Sequence, residues 1–256
     1  MPQIPTLMEM LKAGFHFGHQ KSKWHPKMAS YIFGVRNGVH IVDLEITQKK
    51  LAEALEFLAS VAERGGTALF VGTKRQAQAI VEREAMRAGV PYVNVRWLGG
   101  TLTNFSVIHA LIKTHRDLAR GFESGEFAVK YTKKEQLMFR RKMAEIEAKA
   151  GGILSLDKIP DTIFVVDIKK EKTAVNEAVA KRVPLVAICD TNVDPTEIAY
   201  PIPANDDAVG TIDLITKLVA DAVLEGKARR AAGVVAPAAP AVTNAAEEAV
   251  SAENQE

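Results

Sequence analysis

The stretch Leu69–Ala77, LFVGTKRQA, decides how the chain is read. An apolar run of strand length stops at Gly72, Thr-Lys-Arg follows, and Ala77, Ile80, Val81 and Ala85 then recur at helical spacing until Gly89. An uninterrupted apolar strand followed by an amphipathic helix is the unit of a parallel sheet covered on both faces. Thr73 is placed to cap the helix, with Lys74 and Arg75 in its first turn. Cations there oppose the helix dipole unless an anion lies nearby. A triphosphate loop needs G-x-x-x-x-G-K-[ST], and a dinucleotide loop needs G-x-G-x-x-G. One glycine is too few for either. The loop is thus an ordinary connection, or it meets single phosphates such as those of a nucleic-acid backbone.

The same alternation extends in both directions. Upstream, Asn37-Gly38 between two β-rich runs predicts a hairpin, Tyr31–Val35 with Val39–Val42, because both turn residues of a type I′ turn need positive φ. A helix follows, with Thr47 as its cap, Leu51, Leu55, Leu58 and Val61 on one face, and Gly65 as its stop. Downstream, TIFVV, a helix around Thr173–Arg182, PLVAIC and an extended piece at Tyr200–Pro203 continue the pattern. The last helix runs from near Asp206 to about Lys227, with Val209, Ile212, Ile215, Val219 and Val223 inward. Between Asn104 and Ala150 the alternation breaks. Two long helices are expected there, presenting Ile108, Leu111, Ile112 and Leu118, and Phe139, Met143, Ile146 and Ala150. The second set repeats near the coiled-coil interval, which predicts a helical hairpin projecting from the sheet. The domain reading is therefore an α/β body at 1–103 and 152–228, a hairpin at 104–151, and an Ala/Pro/Glu tail at 229–256. Such a tail buries too little apolar surface to offset its ordering entropy and is expected to be disordered.

Cys189 is the only cysteine, so no disulfide forms within the chain, which fits a reducing cytosol. No basic-then-apolar pattern opens the sequence, and no apolar run approaches the roughly 20 residues that span a bilayer, so neither a secretory peptide nor a membrane partner is expected. The net charge is only +2, but the residues after Arg230 hold four acids and no Lys or Arg, leaving 33 basic against 27 acidic residues before them. Residues 1–40 carry Lys12, Lys21, Lys23, Lys27 and Arg36 against Glu9 alone. A local basic excess of this kind suits a polyanion partner.

Several constellations are candidates for chemistry. Lys21, Lys23, Trp24, His25 and Lys27 crowd one segment, and cations interleaved with a ring suit RNA, whose phosphates they meet and whose bases they stack. The same segment also reads as a loop covering the sheet edge, plugged by Phe15, Phe17 and Trp24. Arg96 and Trp97 stand where α/β sheets place ligands, before a Gly99-Gly100 elbow that aims the hairpin. The hairpin carries ten basic residues against six acids, among them Lys113, Arg116, Lys133, Lys134, Arg140, Arg141 and Lys142. His16-x-x-His19 is a weak metal signal without cysteines. Asp190, Asp194, Asp206 and Asp207 stand near strand ends, and His25, Asp190 and Asp206 are the candidate ligands of a metal ion, to which the sequence does not commit. No G-x-S-x-G or H-E-x-x-H occurs, so no catalytic residues are expected. The alternative is a phosphate-substrate enzyme using Lys74 and the strand-end acids.

With these residues in view, the chain resembles the bacterial type of the small-subunit ribosomal protein S-two family. The resemblance rests on AGFHFGHQKSKWHPKMASYIFGVRNGVHIVDLEIT, FVGTKRQA, RWLGGTLTNF and PDTIFVVDIKKEKTAVNEAVAKRVPLVAICDTNVDP, in this order, and covers residues 4–228. It implies a Rossmann- or flavodoxin-like α/β sheet flanked by helices, with an inserted, protruding antiparallel coiled-coil hairpin. It implies a non-enzymatic constituent of the cytoplasmic small ribosomal subunit, a monomer within the ribosome, with no cofactor beyond the metal ion left open above. Its partners would be small-subunit ribosomal RNA and neighbouring ribosomal proteins, including the large flexible mRNA-binding one. The RNA-binding residues would be Lys21, Lys23, Trp24, His25, Lys27, Arg36, Lys74, Arg75, Arg96 and the hairpin cations named above. The tail lies outside the shared pattern and inherits no role.

Overall fold

The computed structural model describes residues 3–233. The chain opens with α1 (Leu7–Ala13), started by a Thr6–Glu9 capping box and stopped by Gly14. Next comes a small antiparallel sheet, in which β3 (Val39–Val42) lies between β1 (Phe17–Gln20) and β2 (Ile32–Arg36). Asn37 and Gly38 both have positive φ, 54° and 77°, as the type I′ turn requires. The lysine-rich segment is more regular than its sequence suggests: β1 and two 3₁₀ turns, Lys21–Lys23 and Pro26–Tyr31, occupy it.

The body follows as α2 (Leu44–Glu63), β4 (Ala68–Val71), α3 (Gln78–Ala88) and β5 (Tyr92–Val93). Three helices then come in succession, α4 (Phe105–Glu123), α5 (Glu126–Lys130) and α6 (Lys133–Ala150). The chain returns through β6 (Thr162–Val165), α7 (Lys172–Ala180), β7 (Leu185–Cys189), β8 (Tyr200–Pro203) and α8 (Val209–Ala231). The five body strands are all parallel, in the order β5-β4-β6-β7-β8. In chain order that is second, first, third, fourth, fifth, the flavodoxin-like winding. The segment α4–α6 lies between β5 and β6 in sequence. His115 of α4 meets Glu147 of α6 at 2.8 Å, and Arg140 of α6 lies over the Phe122 ring of α4, so the two long helices run side by side in opposite directions.

Alternation along the strands feeds two apolar layers. Phe70, Phe164, Val186 and Ile202 face α2, α3 and α8 through Leu51, Leu58, Val81, Ile212, Ile215 and Val219. Leu69, Val71, Ile163, Val165 and Ala187 face the other way, onto Val175 and Ala178 of α7 and Ile108 and Ile112 at the base of α4. Leu51, Leu55, Leu58 and Val61 are buried as their spacing predicts.

Some local expectations fail. Asp43, not Thr47, caps α2, accepting from the Glu45 and Ile46 N–H groups at 2.9 and 3.3 Å. The Thr47 hydroxyl instead donates to the Pro203 carbonyl at 2.5 Å, because burial against β8 makes that carbonyl its nearest acceptor. Val209 is 56% exposed, because the first turn of α8 packs on Ala13 through Gly210 and Thr211 and leaves Val209 outside that contact. The connection between the long helices contains α5, and α8 reaches Ala231, beyond the expected Lys227. The tail from 234 to 256 lies outside the described residues.

The α2–α8 contact depends on Gly226. A methyl there would overlap the Ala59 carbonyl oxygen and sit 2.7 Å from the Ala62 Cβ. Overpacking of this kind costs about 1–3 kcal/mol. Gly226→Ala is therefore expected to lower the thermal midpoint by roughly 2–12 °C, at about 2–4 °C per kcal/mol for a chain of this size. Gly34→Ala, where nothing lies within 4 Å, is the control and should change little. Equal melting of the two variants would refute the close-packing account.

Candidate nucleic-acid interface

In a flavodoxin-like sheet, ligands enter the crevice beyond the carboxyl ends of the strands at the switch point, here between β4 and β6. This crevice is filled from within. Helix α3 starts only at Gln78, so Thr73 is not its cap. The Thr73 N–H and hydroxyl donate instead to Glu171 Oε1 at 2.8 and 2.5 Å, and Lys170 Nζ donates to the Thr73 carbonyl at 3.0 Å. A carboxylate thus holds the donors that would otherwise greet an anion. Lys74 Nζ lies 3.3, 2.8 and 2.6 Å from carboxylate oxygens of Asp167, Asp206 and Asp207. Burial works against its charge, but bonds from Asp206 and Asp207 outweigh that and raise its pKa. Arg75, beside it, is exposed.

The strand-end acids also tie down the N-terminal segment. His19 Nδ1 lies 3.1 Å from Asp190, and its Nε2 lies 3.9 Å from Asp207. The His19 N–H donates to the Thr191 hydroxyl at 2.9 Å and the His25 N–H to the Thr191 carbonyl at 2.8 Å. Among the described residues His25 forms no ion pair with Asp190 or Asp206, the acids expected to share a metal with it. Its Nδ1 accepts from the Lys27 N–H at 3.3 Å, capping the second 3₁₀ turn, a local bond that outcompetes a distant partner. Among the described residues no group of three or more His, Cys, Asp or Glu side chains is arranged to hold a metal ion. Burial first, then the neighbouring Asp167 and Asp190, push the Asp206 carboxyl up to about 7 against the pull of Lys74. Three carboxylates share one ammonium, and Asp206 is the most enclosed of them.

The remaining cations lie outside the crevice. Lys21, Lys23, Trp24 and Arg36 are exposed, the Trp24 ring 5.2 Å from that of His40. Of the expected plugs only Phe15 is fully buried; Phe17 is 51% exposed. Lys27 pairs with Asp194 at 2.8 Å. Burial disfavours the Asp194 charge, but Lys27 and Thr196 outweigh it and hold the carboxyl below its ordinary range. Arg96 is exposed and lines a 270 Å³ cavity with Glu82 and Glu147, well apart from the Lys74 cluster in its set of neighbours. Trp97 is buried, as the elbow reading expects, and Gly100 takes a φ of 89°. Arg116 is spent on Asp157 and the Leu154 carbonyl at 2.7 and 2.6 Å. Lys113, Lys133, Lys134, Arg140, Arg141 and Lys142 are exposed along α4 and α6, and among the described residues none of them forms a salt bridge. The cations at the head of α7, Lys169, Lys170 and Lys172, are exposed as well. The Lys-Lys-Glu-Lys run at 169–172 was the signal for them in the sequence.

The switch-point crevice is thus held by the fold's own side chains, and the cations that form no salt bridge among the described residues lie on outer surfaces. The enzyme alternative finds no support: its lysine is neutralised and its arginine faces another cavity. Residues 10–226 match the family model described as ribosomal protein S2, and the chain belongs to that family. It is 48% identical over 223 residues to a protein of Fusobacterium nucleatum subsp. nucleatum named small ribosomal subunit protein uS2, covering 87% of this chain and 90% of the relative. A protein of the same name from Acidothermus cellulolyticus is 46% identical over 229 residues, covering 90% of this chain and 83% of the relative.

The acid cluster has a pH signature. Asp206 holds its proton in the fold up to about pH 7, whereas an unfolded aspartate loses it near about pH 4. The native state then binds more protons than the unfolded state across that window, so stability falls as pH rises through it. His19, whose pKa is raised first by its hydrogen bond to Asp190, adds in the same direction. Asp206→Asn should flatten the fall in thermal midpoint between about pH 4.5 and 7. An unchanged slope would mean that Asp206 is charged throughout.

Proposed function

We propose that this chain is a non-enzymatic structural constituent of the small ribosomal subunit, bound to small-subunit ribosomal RNA in the cytoplasm and docked against neighbouring ribosomal proteins, the mRNA-binding one included. Family membership supports the assembly. The single observation that carries the RNA reading is the distribution of cations: they lie unpaired on outer faces while the fold's usual ligand crevice is occupied by Glu171. An RNA backbone is a wide, regular array of phosphates, and a spread of free lysines and arginines suits it better than a pocket does.

In this reading the body, 1–103 with 152–228, is the rigid base. The segment 104–151 is a protruding antiparallel coiled-coil hairpin that presents Lys113, Lys133, Lys134, Arg140, Arg141 and Lys142. The N-terminal segment presents Lys21, Lys23, Trp24 and Arg36 as a second contact, with Arg75 and Arg96 on the rim between. His25, Lys27, Lys74 and Arg116 contribute chiefly by holding loops, because their polar atoms already have partners. Among the described residues no helix is long and apolar enough to cross a membrane.

Lys134→Ala, Arg141→Ala and Lys142→Ala together test the hairpin role. Exposed sites of this kind change stability by within about 0.5 kcal/mol each. RNA affinity should fall uniformly across sequences, and the slope of log K against log salt should shrink by about 3, near one per lost phosphate contact. A normal slope and normal loading into subunits at raised salt would remove the hairpin from the interface. In the N-terminal segment, Lys21→Glu with Lys23→Glu should impair assembly, and normal incorporation would leave that segment as a cover for the sheet edge.

A further inference from the structure

The loop that launches α4 is held by one carboxylate from another element. Glu177, on α7, is buried, and its Oε1 accepts from the Trp97 indole N–H at 3.0 Å and the Gly100 N–H at 2.8 Å. Its Oε2 accepts from the Leu102 N–H at 2.9 Å and from the Thr103 N–H and hydroxyl, each at 3.1 Å. Asn104, at the N-cap of α4, makes no side-chain capping bond, so the helix does not fix its own entry. Burial works against the Glu177 charge, but the donors from Trp97, Leu102, Thr103 and Gly100 outweigh it and lower its pKa. The carboxylate also lies by the amino end of α4, where negative charge is favoured.

We propose that Glu177 is the positioning residue for the RNA-binding helices: it sets the direction in which α4 and α6 leave the body, and so where the α6 cations meet phosphate. The consequence for RNA rests on the function proposed above; the mechanics do not. The lever arm shows why direction matters. The 19 residues of α4 span about 28 Å at ~1.5 Å each. A tilt of about 10° at its base moves its far end by about 5 Å, well beyond the ~3 Å reach of a hydrogen bond. Five donors on one carboxylate, set 74 to 80 residues away in sequence, restrain that tilt.

The test uses the full chain with nitroxide labels at Met86→Cys on α3 and Ser124→Cys at the far end of α4; Cys189 is buried and stays unlabelled. Glu177→Gln keeps the shape but turns an amide toward donors. It should broaden or shift the label-to-label distance by several ångströms and weaken binding to small-subunit ribosomal RNA at least fivefold, with helix content unchanged. A distance distribution identical to that of the parent overturns the inference whatever happens to binding. A shifted distribution with unchanged binding leaves Glu177 as the positioning residue and overturns the RNA role of α6 instead. Should Glu177→Gln fail to fold, Trp97→Phe with Thr103→Val removes two side-chain donors and keeps the packing. A smaller broadening in the same direction supports the inference, and none refutes it.

Discussion

The parallel ladder between β4 and β6, pairing Ala68–Val71 with Thr162–Val165, is the constraint from which the rest of the structure follows. It joins two strands that are buried on both faces and lie at the centre of the sheet. Because β5 pairs on the far side of β4, the chain must leave the sheet edge after β5 and come back across to β6. Everything from Asn94 to Asp161 is therefore an excursion whose two flanking strands, β5 and β6, are both fixed by pairing to β4. Burying the base of α4 against Leu69, Val71 and Ile163 gives that excursion its apolar footing. Its outer part has no comparable layer to join, so its helices can satisfy their apolar faces only against each other.

Charge divides along the same line. At the carboxyl ends of the strands the acids outnumber the cations, and Lys74 answers three of them at once. Away from the sheet the balance reverses. Charges gathered under cover have lost their water and must find partners, whereas those on α6 remain solvated and unspent. In the proposed RNA role it is this outer set that would meet the polyanion. The inner set serves to fasten β1 and the 3₁₀ turns to the sheet edge through His19, Thr191 and Asp194.

Much of this was legible in the sequence, and the remainder was hidden for identifiable reasons. Uninterrupted apolar runs announced the buried parallel strands, and Asn37-Gly38 announced its turn, because both signals are local. The footing of the helices was also legible: Ile108, Ile112, Ile146 and Ala150 are buried where their spacing put them. The failures come from side chains whose partner is far along the chain. Thr73 has the right chemistry for a cap, but Glu171, 98 residues on, takes both of its donors. Lys74 looked free because Asp206 and Asp207 are more than 130 residues away. Glu177 carried no signal at all, since a glutamate in an amphipathic helix reads as solvated until the fold brings Trp97 and Thr103 to it. Nor could the sequence tell which imidazole reaches Asp190: it is that of His19, whereas the His25 Nδ1 accepts from the Lys27 N–H.

Helix α7 is the element that holds two loops at the carboxyl side of the sheet. Its two carboxylates, Glu171 at the cap position and Glu177 in the body of the helix, take the donors of the two loops best placed to receive an anion, Gly72–Thr73 and Gly100–Thr103. Loops and helix starts of this kind are how α/β sheets usually read phosphate, by backbone N–H groups at fixed positions. Here the donors of Thr73, Gly100, Leu102 and Thr103 are taken inside the fold by the two carboxylates. Binding is left to long, flexible, solvated side chains. Such chains neutralise phosphate at close range without reading bases, so their contribution is steeply salt-dependent and nearly indifferent to sequence. In the proposed RNA role, selectivity for one site would come from shape, from holding several cationic surfaces at a separation that a particular arrangement of RNA helices matches. In that role, the carboxylates that take the loop donors, Glu171 and Glu177, would also hold the loops from which those surfaces are set.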